Sequence, residues 1–281
     1  MLDVLTDALL DTLKMIPFLF LAYLLIEFLE HKASRKMENA LSRFGIFGSF
    51  AGALLGCIPQ CGLSVAAANL YATKIITAGT LIAVFASTSD EAIPIILAHP
   101  EMLPYLWKLI FIKVLVALIA GLAVDLFLRF VLKRRPHADY HEVCENCDCE
   151  HHGIFYSAFR HTVSITLFIL VVNLALGFLI YFIGGDSFSK IMLSNSVFQP
   201  FFTAIIGFIP NCAASVILTE CFVDGTVTLG SLVAGLTTGA GMGIAVLFKA
   251  NRRHKKENFM ILAVLYVAAV AAGLVINVLV H

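Results

Sequence analysis

The chain has 281 residues, 60% of them hydrophobic and only 14% charged, with 19 acidic side chains balancing 19 basic ones. Soluble domains lie nearer ~45–50% apolar and ~25% charged, so a membrane protein is expected and a separate soluble domain is not. A net charge of zero gives no electrostatic reason for a nucleic-acid partner.

Asp3, Asp7 and Asp11 stand where a secretory signal would carry basic residues. The apolar run Leu13–Leu29 is therefore read as a membrane span and not as a cleavable leader. Leu106–Leu132, Thr162–Ile183 and Phe259–Val280 are also long enough to cross a hydrocarbon core of roughly 30 Å as single helices. The segments between them are shorter. Phe44–Cys57 and Cys61–Ala72, at about 14 and 12 residues, would make only roughly 18–21 Å of helix. Pro59 separates these two, and Pro210 separates Phe201–Phe208 from Cys212–Phe222. A re-entrant hairpin with its tip at Ile58–Cys61 accounts for this pattern, with Gly62 and the polar tip suiting a turn; a long helix kinked at proline is the alternative. Thr77–Ala98 could span, but Ser87, Thr88, Ser89, Asp90 and Glu91 interrupt it, and the glycine-rich stretch Thr237–Gly243 interrupts its later counterpart.

That counterpart belongs to an internal duplication. Gly56, Ile58, Pro59, Cys61, Ser64 and Val65 return as Gly207, Ile209, Pro210, Cys212, Ser215 and Val216, an offset of 151 residues that also carries Thr77 to Thr228 and Gly79 to Gly230. Upstream, the run Met15–Leu29 falls on Thr166–Ile180. The expected architecture is all-α, with about ten helical segments in two repeats of five: residues 1–132, a linker over 133–160, and residues 161–281.

Charge supplies the orientation. Lys32, Arg35, Lys36 and Arg43 follow the first span, Lys133, Arg134, Arg135 and Arg160 join the halves, and Arg252, Arg253, Lys255 and Lys256 precede the last span. The repeat-mates of these loops are not basic, and Lys74 in one short turn is matched by Asp224 in the other. By the positive-inside rule the basic loops are cytoplasmic, the halves are inverted and both termini face outside.

Backbone freed at a break in lipid survives only inside protein or beside water, and a substrate site is expected where two inverted breaks meet. The candidate ligands are Gln60, Cys61 and Ser64 from the first tip and Asn211, Cys212 and Ser215 from the second. Ser87, Thr88, Ser89, Asp90, Glu91, Thr237 and Thr238 come from the interrupted helices, and Glu220 stands at the repeat position of Asn69. An ionised carboxylate at a helix centre costs roughly 2.5–3.5 kcal/mol on insertion scales, so Asp90 and Glu91 are expected to face a cavity and hold a cation or protons. The plainer alternative is a surface loop, where acids are ordinary. Carboxylate, amide and thiolate together suit a borderline or soft metal, so Cys61, Asp90, Glu91, Cys212 and Glu220 are the expected metal ligands. Lys113 and Asp125 rank lower: both could face the cavity, but Asp125 is close enough to the cytoplasmic end of its span to be solvated. Asn173 is read as interhelical glue and Lys249 as a snorkelling residue.

The linker is a signal of its own. His137, Asp139, His141, Cys144, Cys147, Cys149, His151 and His152 crowd one short stretch. Thiolates spaced Cys-x-x-Cys beside imidazoles offer a tetrahedral site for zinc or a similar ion, and in a reducing cytoplasm metal binding is favoured over a disulfide. A solvated polar linker is the alternative.

The paired motifs at 58–62 and 209–215, the segment 87–92 and the Cys/His-rich middle loop resemble the ten-transmembrane heavy-metal exporters of bacteria and archaea, a family linked to arsenic efflux and manganese transport. The resemblance covers essentially the full length and implies a multi-pass exporter of a metal or metalloid in the cytoplasmic membrane. Weighed on the residues, the acids tilt the expectation to a divalent cation such as Zn²⁺ or Mn²⁺, as substrate and as loop ligand, with no other cofactor required. An arsenite or metalloid permease and a metal-gated channel stay open. So does a homo-oligomer within the bilayer. A membrane enzyme using Cys57 and Cys61, or Cys61 and Cys212, as a redox pair lacks a histidine partner in the membrane, so the chain is read as a non-enzyme. No Gly-x-x-x-x-Gly-Lys-Ser/Thr phosphate loop occurs, so coupling to an ion gradient, such as protons, is expected.

Overall fold

The computed structural model describes residues 45–58, 61–89, 92–130, 154–183 and 198–280, together with scattered helical positions between Thr6 and Leu24. Most of the expected span Leu13–Leu29, the segments 131–153 and 184–197 and the residues Pro59, Gln60, Asp90 and Glu91 lie outside the described residues. The described secondary structure is helical: α1 Gly45–Leu55, α2 Cys61–Ala72, α3 Ala78–Ser87, α4 Ala92–Ala98, α5 Leu103–Phe130, α6 Ile154–Ile183, α7 Gln199–Gly207, α8 Cys212–Val223, α9 Leu229–Thr238, α10 Met242–Ala250 and α11 Lys255–Val280. The chain is an all-α membrane protein. Among the described residues four stretches are long and apolar enough to cross a bilayer: Ala78–Ala98 and Leu229–Ala250, each taken across its break, Pro100–Leu128 and Arg252–Leu279.

The long helices are amphipathic in the sense a membrane requires. On α5 the exposed side chains Trp107, Phe111, Leu115 and Ile119 recur every fourth residue, while Leu109, Lys113, Ala117, Ala120 and Val124 form the opposite, buried stripe. A row of large apolar groups left uncovered is a lipid-facing surface, because hydrocarbon solvates it as well as protein would. By contrast α3 and α9 are buried at every residue. They are the two central helices, apolar all round because no face meets water.

Around each centre the same arrangement recurs. α1 and α5 pack on α3, and α7 and α11 pack on α9. Gly48 and Gly52 of α1, with Gly56 just after it, place a side-chain-free ridge against Thr80, Val84 and Ser87 of α3. Small residues every fourth position let two backbones approach where lipid offers no hydrophobic drive. The halves also interlock: α2 packs on α10, and α8 packs on α4. Leu81, Ile82 and Phe85 of α3 share a core with Val246 and Leu247 of α10 and Leu265 of α11. A second core joins Ile96 of α4, Leu109 of α5, Leu218 of α8 and Leu232 and Leu236 of α9.

The two short turns are built alike and lie far apart. After α2, the Ile75 and Ile76 amides both return to the Leu70 carbonyl; after α8, Thr226 and Val227 both return to Cys221. Lys74 and Gly225 take the left-handed position within them, at φ 58° and 73°. The first turn is tied to one end of the bundle, where Thr77 and Gly79 bond Asp125 of α5 and Lys74 bonds Glu257 of α11. The second leads from the other end, where the Phe222 ring meets Tyr105 at 5.7 Å. Tyr105 and Asp125 are separated by about 30 Å along α5, at 1.5 Å per residue.

The described element boundaries lie within a few residues of the expected ones, α5 starting at Leu103 and α11 at Lys255, with one larger difference. α6 begins at Ile154, so the last residues of the expected linker are helical. Phe155, Tyr156 and Phe159 are exposed there, and no proline or glycine follows Gly153 to stop the helix from extending outward.

Candidate functional site

The second elbow is described in full. α7 ends at Gly207, Ile209–Asn211 turn, and α8 starts at Cys212. Asn211 caps the new helix, its Oδ1 accepting from the Ala213 amide at 2.9 Å, and so satisfies a donor that the helix start leaves free. In the first half α1 ends at Leu55 and α2 restarts at Cys61; Gln60 and the Cys61 side chain lie outside the described residues.

Each elbow lies against the broken helix of its own half. A Cβ placed on Gly56 would run into Ser87 Oγ and the Val84 carbonyl, and one on Gly207 would run into Thr238 Oγ1 and the Gly235 carbonyl. Ser87 donates to the carbonyls of Ala83 at 2.8 Å and Val84 at 3.1 Å, and Thr88 donates to Val84 at 2.7 Å. Thr238 donates to Ala204 across the interface at 2.8 Å and to Gly235 at 3.0 Å. The Ser87 and Thr88 hydroxyls turn back onto their own helix end, whereas that of Thr238 also ties α9 to α7. Ser64 is buried against Gly243 of α10, and Ser215 lies beside Gly239.

The second break is a backbone device. The Ala240 amide bonds the Thr238 carbonyl at 2.9 Å instead of reaching back four residues, which leaves the Leu236 carbonyl outside the helical ladder. Gly241 then takes φ 52° with ψ −137°, a conformation open in practice only to glycine. Thr237, fully buried, makes no hydrogen bond through Oγ1 to any described residue.

Lys113 joins the two breaks. It is fully buried in α5, about 15 Å along that helix from Leu103. Its Nζ donates to the Leu236 carbonyl at 2.9 Å and also to the Thr88 carbonyl. The ends of α3 and α9 are therefore neighbours, both within hydrogen-bonding reach of one ammonium. A cation at two helix C-termini faces the negative ends of both dipoles.

The expected ligands thus divide. Ser64, Ser87, Thr88, Ser89, Ser215, Thr237 and Thr238 gather around the two breaks, with Asn211 and the buried Cys212 at the second elbow. Glu220 is exposed one residue before Cys221, near the end of α8. Asp90 and Glu91 and the loop residues His137, Asp139, His141, Cys144, Cys147, Cys149, His151 and His152 fall outside the described residues. Among the described residues no three His, Cys, Asp or Glu side chains come together, and Cys57, Cys212 and Cys221 are unbridged.

Two residues play parts that sequence reasoning ranked low or missed. Asp125, expected to be solvated, is half-buried and accepts from Ser49 Oγ at 2.8 Å, Thr77 Oγ1 at 2.9 Å and the Gly79 amide at 3.0 Å. It anchors the start of α3 to α1 and α5. Gly243, read only as part of a glycine-rich break, is a point of close approach between α10 and Ser64 of α2. Asn173 has no described side chain. Lys249 reaches the Ser164 carbonyl at 3.3 Å and covers the Phe168 ring.

A family profile described as "Putative, 10TM heavy-metal exporter" matches residues 1–188 and 162–281. No curated protein and no solved structure matches the chain.

Proposed function

The chain belongs to the family of ten-transmembrane heavy-metal exporters, and from that premise we propose that it is a secondary transporter moving a divalent transition-metal cation out of the cytoplasm through a site between its two breaks. The supporting observation is the shared contact of Lys113 with Thr88 and Leu236, which puts the end of a broken helix from each half beside the other at mid-depth. Non-helical backbone in that position is what a substrate site in a repeat-built transporter needs.

The working organisation is two inverted repeats, 1–132 and 161–281. The mutual packing of α2 on α10 and α8 on α4, and the two like-built turns at far ends of α5, favour it. In this reading Asp90 and Glu91 are the carboxylates that bind the ion and exchange protons, with Gln60, Cys61, Asn211, Cys212 and the hydroxyls of the breaks completing the path. Family membership argues for transport and against catalysis. Residues 133–160 serve as a cytoplasmic metal-binding segment that loads or senses the ion, with both termini outside.

Proteoliposomes test this directly. Uptake of Mn²⁺, Co²⁺ and Zn²⁺ is measured at several pH values for the wild type, Asp90→Asn and Glu91→Gln. Saturable flux that needs a proton gradient and is lost in both variants is expected. Undiminished flux in both removes the carboxylates from the site, and flux that neither saturates nor responds to a gradient identifies a channel. Deletion of 137–152 is expected to shift the metal dependence without abolishing flux.

A further inference from the structure

The oxygen atoms best placed to hold a cation at the breaks are already engaged by one. We propose that the Lys113 ammonium is a tethered stand-in for the transported ion, occupying the Thr88 and Leu236 carbonyls until the ion displaces it. This rests on the exporter reading above.

Three features of the structure carry the inference. Lys113 is fully buried at a depth where an ionisable group is costly and is retained for function more often than for packing. Among the described residues its acceptors at the breaks include two main-chain carbonyls, one at the end of α3 and one at the end of α9, so the ammonium links both broken helices. The Leu236 carbonyl is open to it only because the break diverts the Ala240 amide to Thr238. Such a carbonyl, with no helical partner, would otherwise stand unpaired in a water-poor interior.

The chemistry of the acceptors narrows the ion. Carbonyl oxygens suit harder divalent cations such as Mn²⁺ better than ions that prefer thiolate. The Thr237 hydroxyl, fully buried and unbonded to any described residue beside Leu236, adds an oxygen donor of the same kind. Two positive charges cannot share these oxygens in a low-dielectric interior. Entry of the ion must move the ammonium away, and its return expels the ion: Lys113 keeps the closed, ion-free state stable and prevents binding from becoming so tight that release fails.

The test measures Mn²⁺ affinity by calorimetry on the full-length protein in detergent, and Mn²⁺ flux in proteoliposomes, for the wild type, Lys113→Gln and Lys113→Arg. Lys113→Gln is expected to bind Mn²⁺ roughly tenfold tighter or more and to turn over more slowly. Lys113→Arg keeps the charge and should bind no tighter than the wild type. A purely structural lysine would weaken binding in both variants, and that result, or equal affinity in all three proteins, overturns the proposal. Should Lys113→Gln fail to fold in metal-free buffer, recovery of folded protein by extraction in Mn²⁺ supports the stand-in role, and failure of Mn²⁺ to recover it overturns that role. Wild-type flux with unaltered variant affinities sinks the Lys113 assignment alone. Absence of wild-type flux for Mn²⁺, Co²⁺ and Zn²⁺ sinks the exporter reading with it.

Discussion

Gly243 of α10 lies so close to Ser64 of α2 that a Cβ on the glycine would come within 2.9 Å of Ser64 Cβ and 3.0 Å of its carbonyl carbon. Here the helix after the first elbow touches the helix after the second break. Neither partner can retreat easily, since Phe85 Cε1 of the central helix α3 closes the same space at 3.0 Å. Gly243→Ala should destabilise the protein by about 1–3 kcal/mol, as overpacking in a tight interface does, and slow metal flux by holding α2 off α10. An unchanged thermal midpoint in detergent with wild-type flux would show that this contact is looser than it looks.

Asp125 should act as an anchor and not as a ligand. Asp125→Ala removes the acceptor of Ser49, Thr77 and the Gly79 amide and leaves partly buried donors unmet, at about 1–3 kcal/mol for each group that water cannot reach. Asp125→Asn keeps the shape and one carbonyl oxygen and should lose less. Thermal unfolding of the two variants ranks them. If Asp125→Asn unfolds as early as Asp125→Ala, shape and hydrogen bonding are not what matters there.

Gly225 offers a clean measure of backbone strain. Its φ is 73°, and a Cβ there would meet nothing within 4 Å. Gly225→Ala should therefore cost about 1–2 kcal/mol from the left-handed conformation alone, without altering metal selectivity. Lys74 carries the same strain at the equivalent turn, where the ion pair with Glu257 at 3.0 Å contributes only about 0.2–1 kcal/mol because both groups are partly exposed. Equal thermal midpoints for Gly225→Ala and the wild type would contradict the strain argument.

Thr237→Val separates ligand from scaffold. The hydroxyl is buried and bonds no described residue, so replacing it by a methyl of like shape should leave stability unchanged or raise it by about 1 kcal/mol. Metal flux should fall if that oxygen meets the ion. Full flux in a protein at least as stable as the wild type would make Thr237 a bystander.

Much of the architecture was legible in the chain because its causes are local. Pro59 and Pro210 lie between helices, as do Gly239 and Gly241, and the helices start and stop at or near the boundaries those residues imply: Cys61–Ala72 is the same segment in both readings, and Cys212–Val223 differs by one residue. The membrane class followed from composition alone. Repetition of Gly56 as Gly207 marked both elbows, although only packing shows why glycine is there: Ser87 and Thr238 fill the space a side chain would need.

What the sequence by itself determined is therefore where the helices run, where they break and which polar residues lie at the breaks, since turn chemistry and apolar patterning act within a few residues of each other. Only the tertiary structure decided which of those polar groups face one another. Lys113 falls far from both breaks along the chain, and Asp125 looks like an ordinary helix-end acid. Folding brings Lys113 to the carbonyls of Thr88 and Leu236, which are 25 and 123 residues away. Main-chain carbonyls carry no signature in sequence, so a lysine that answers to backbone can be located only when the helices are packed.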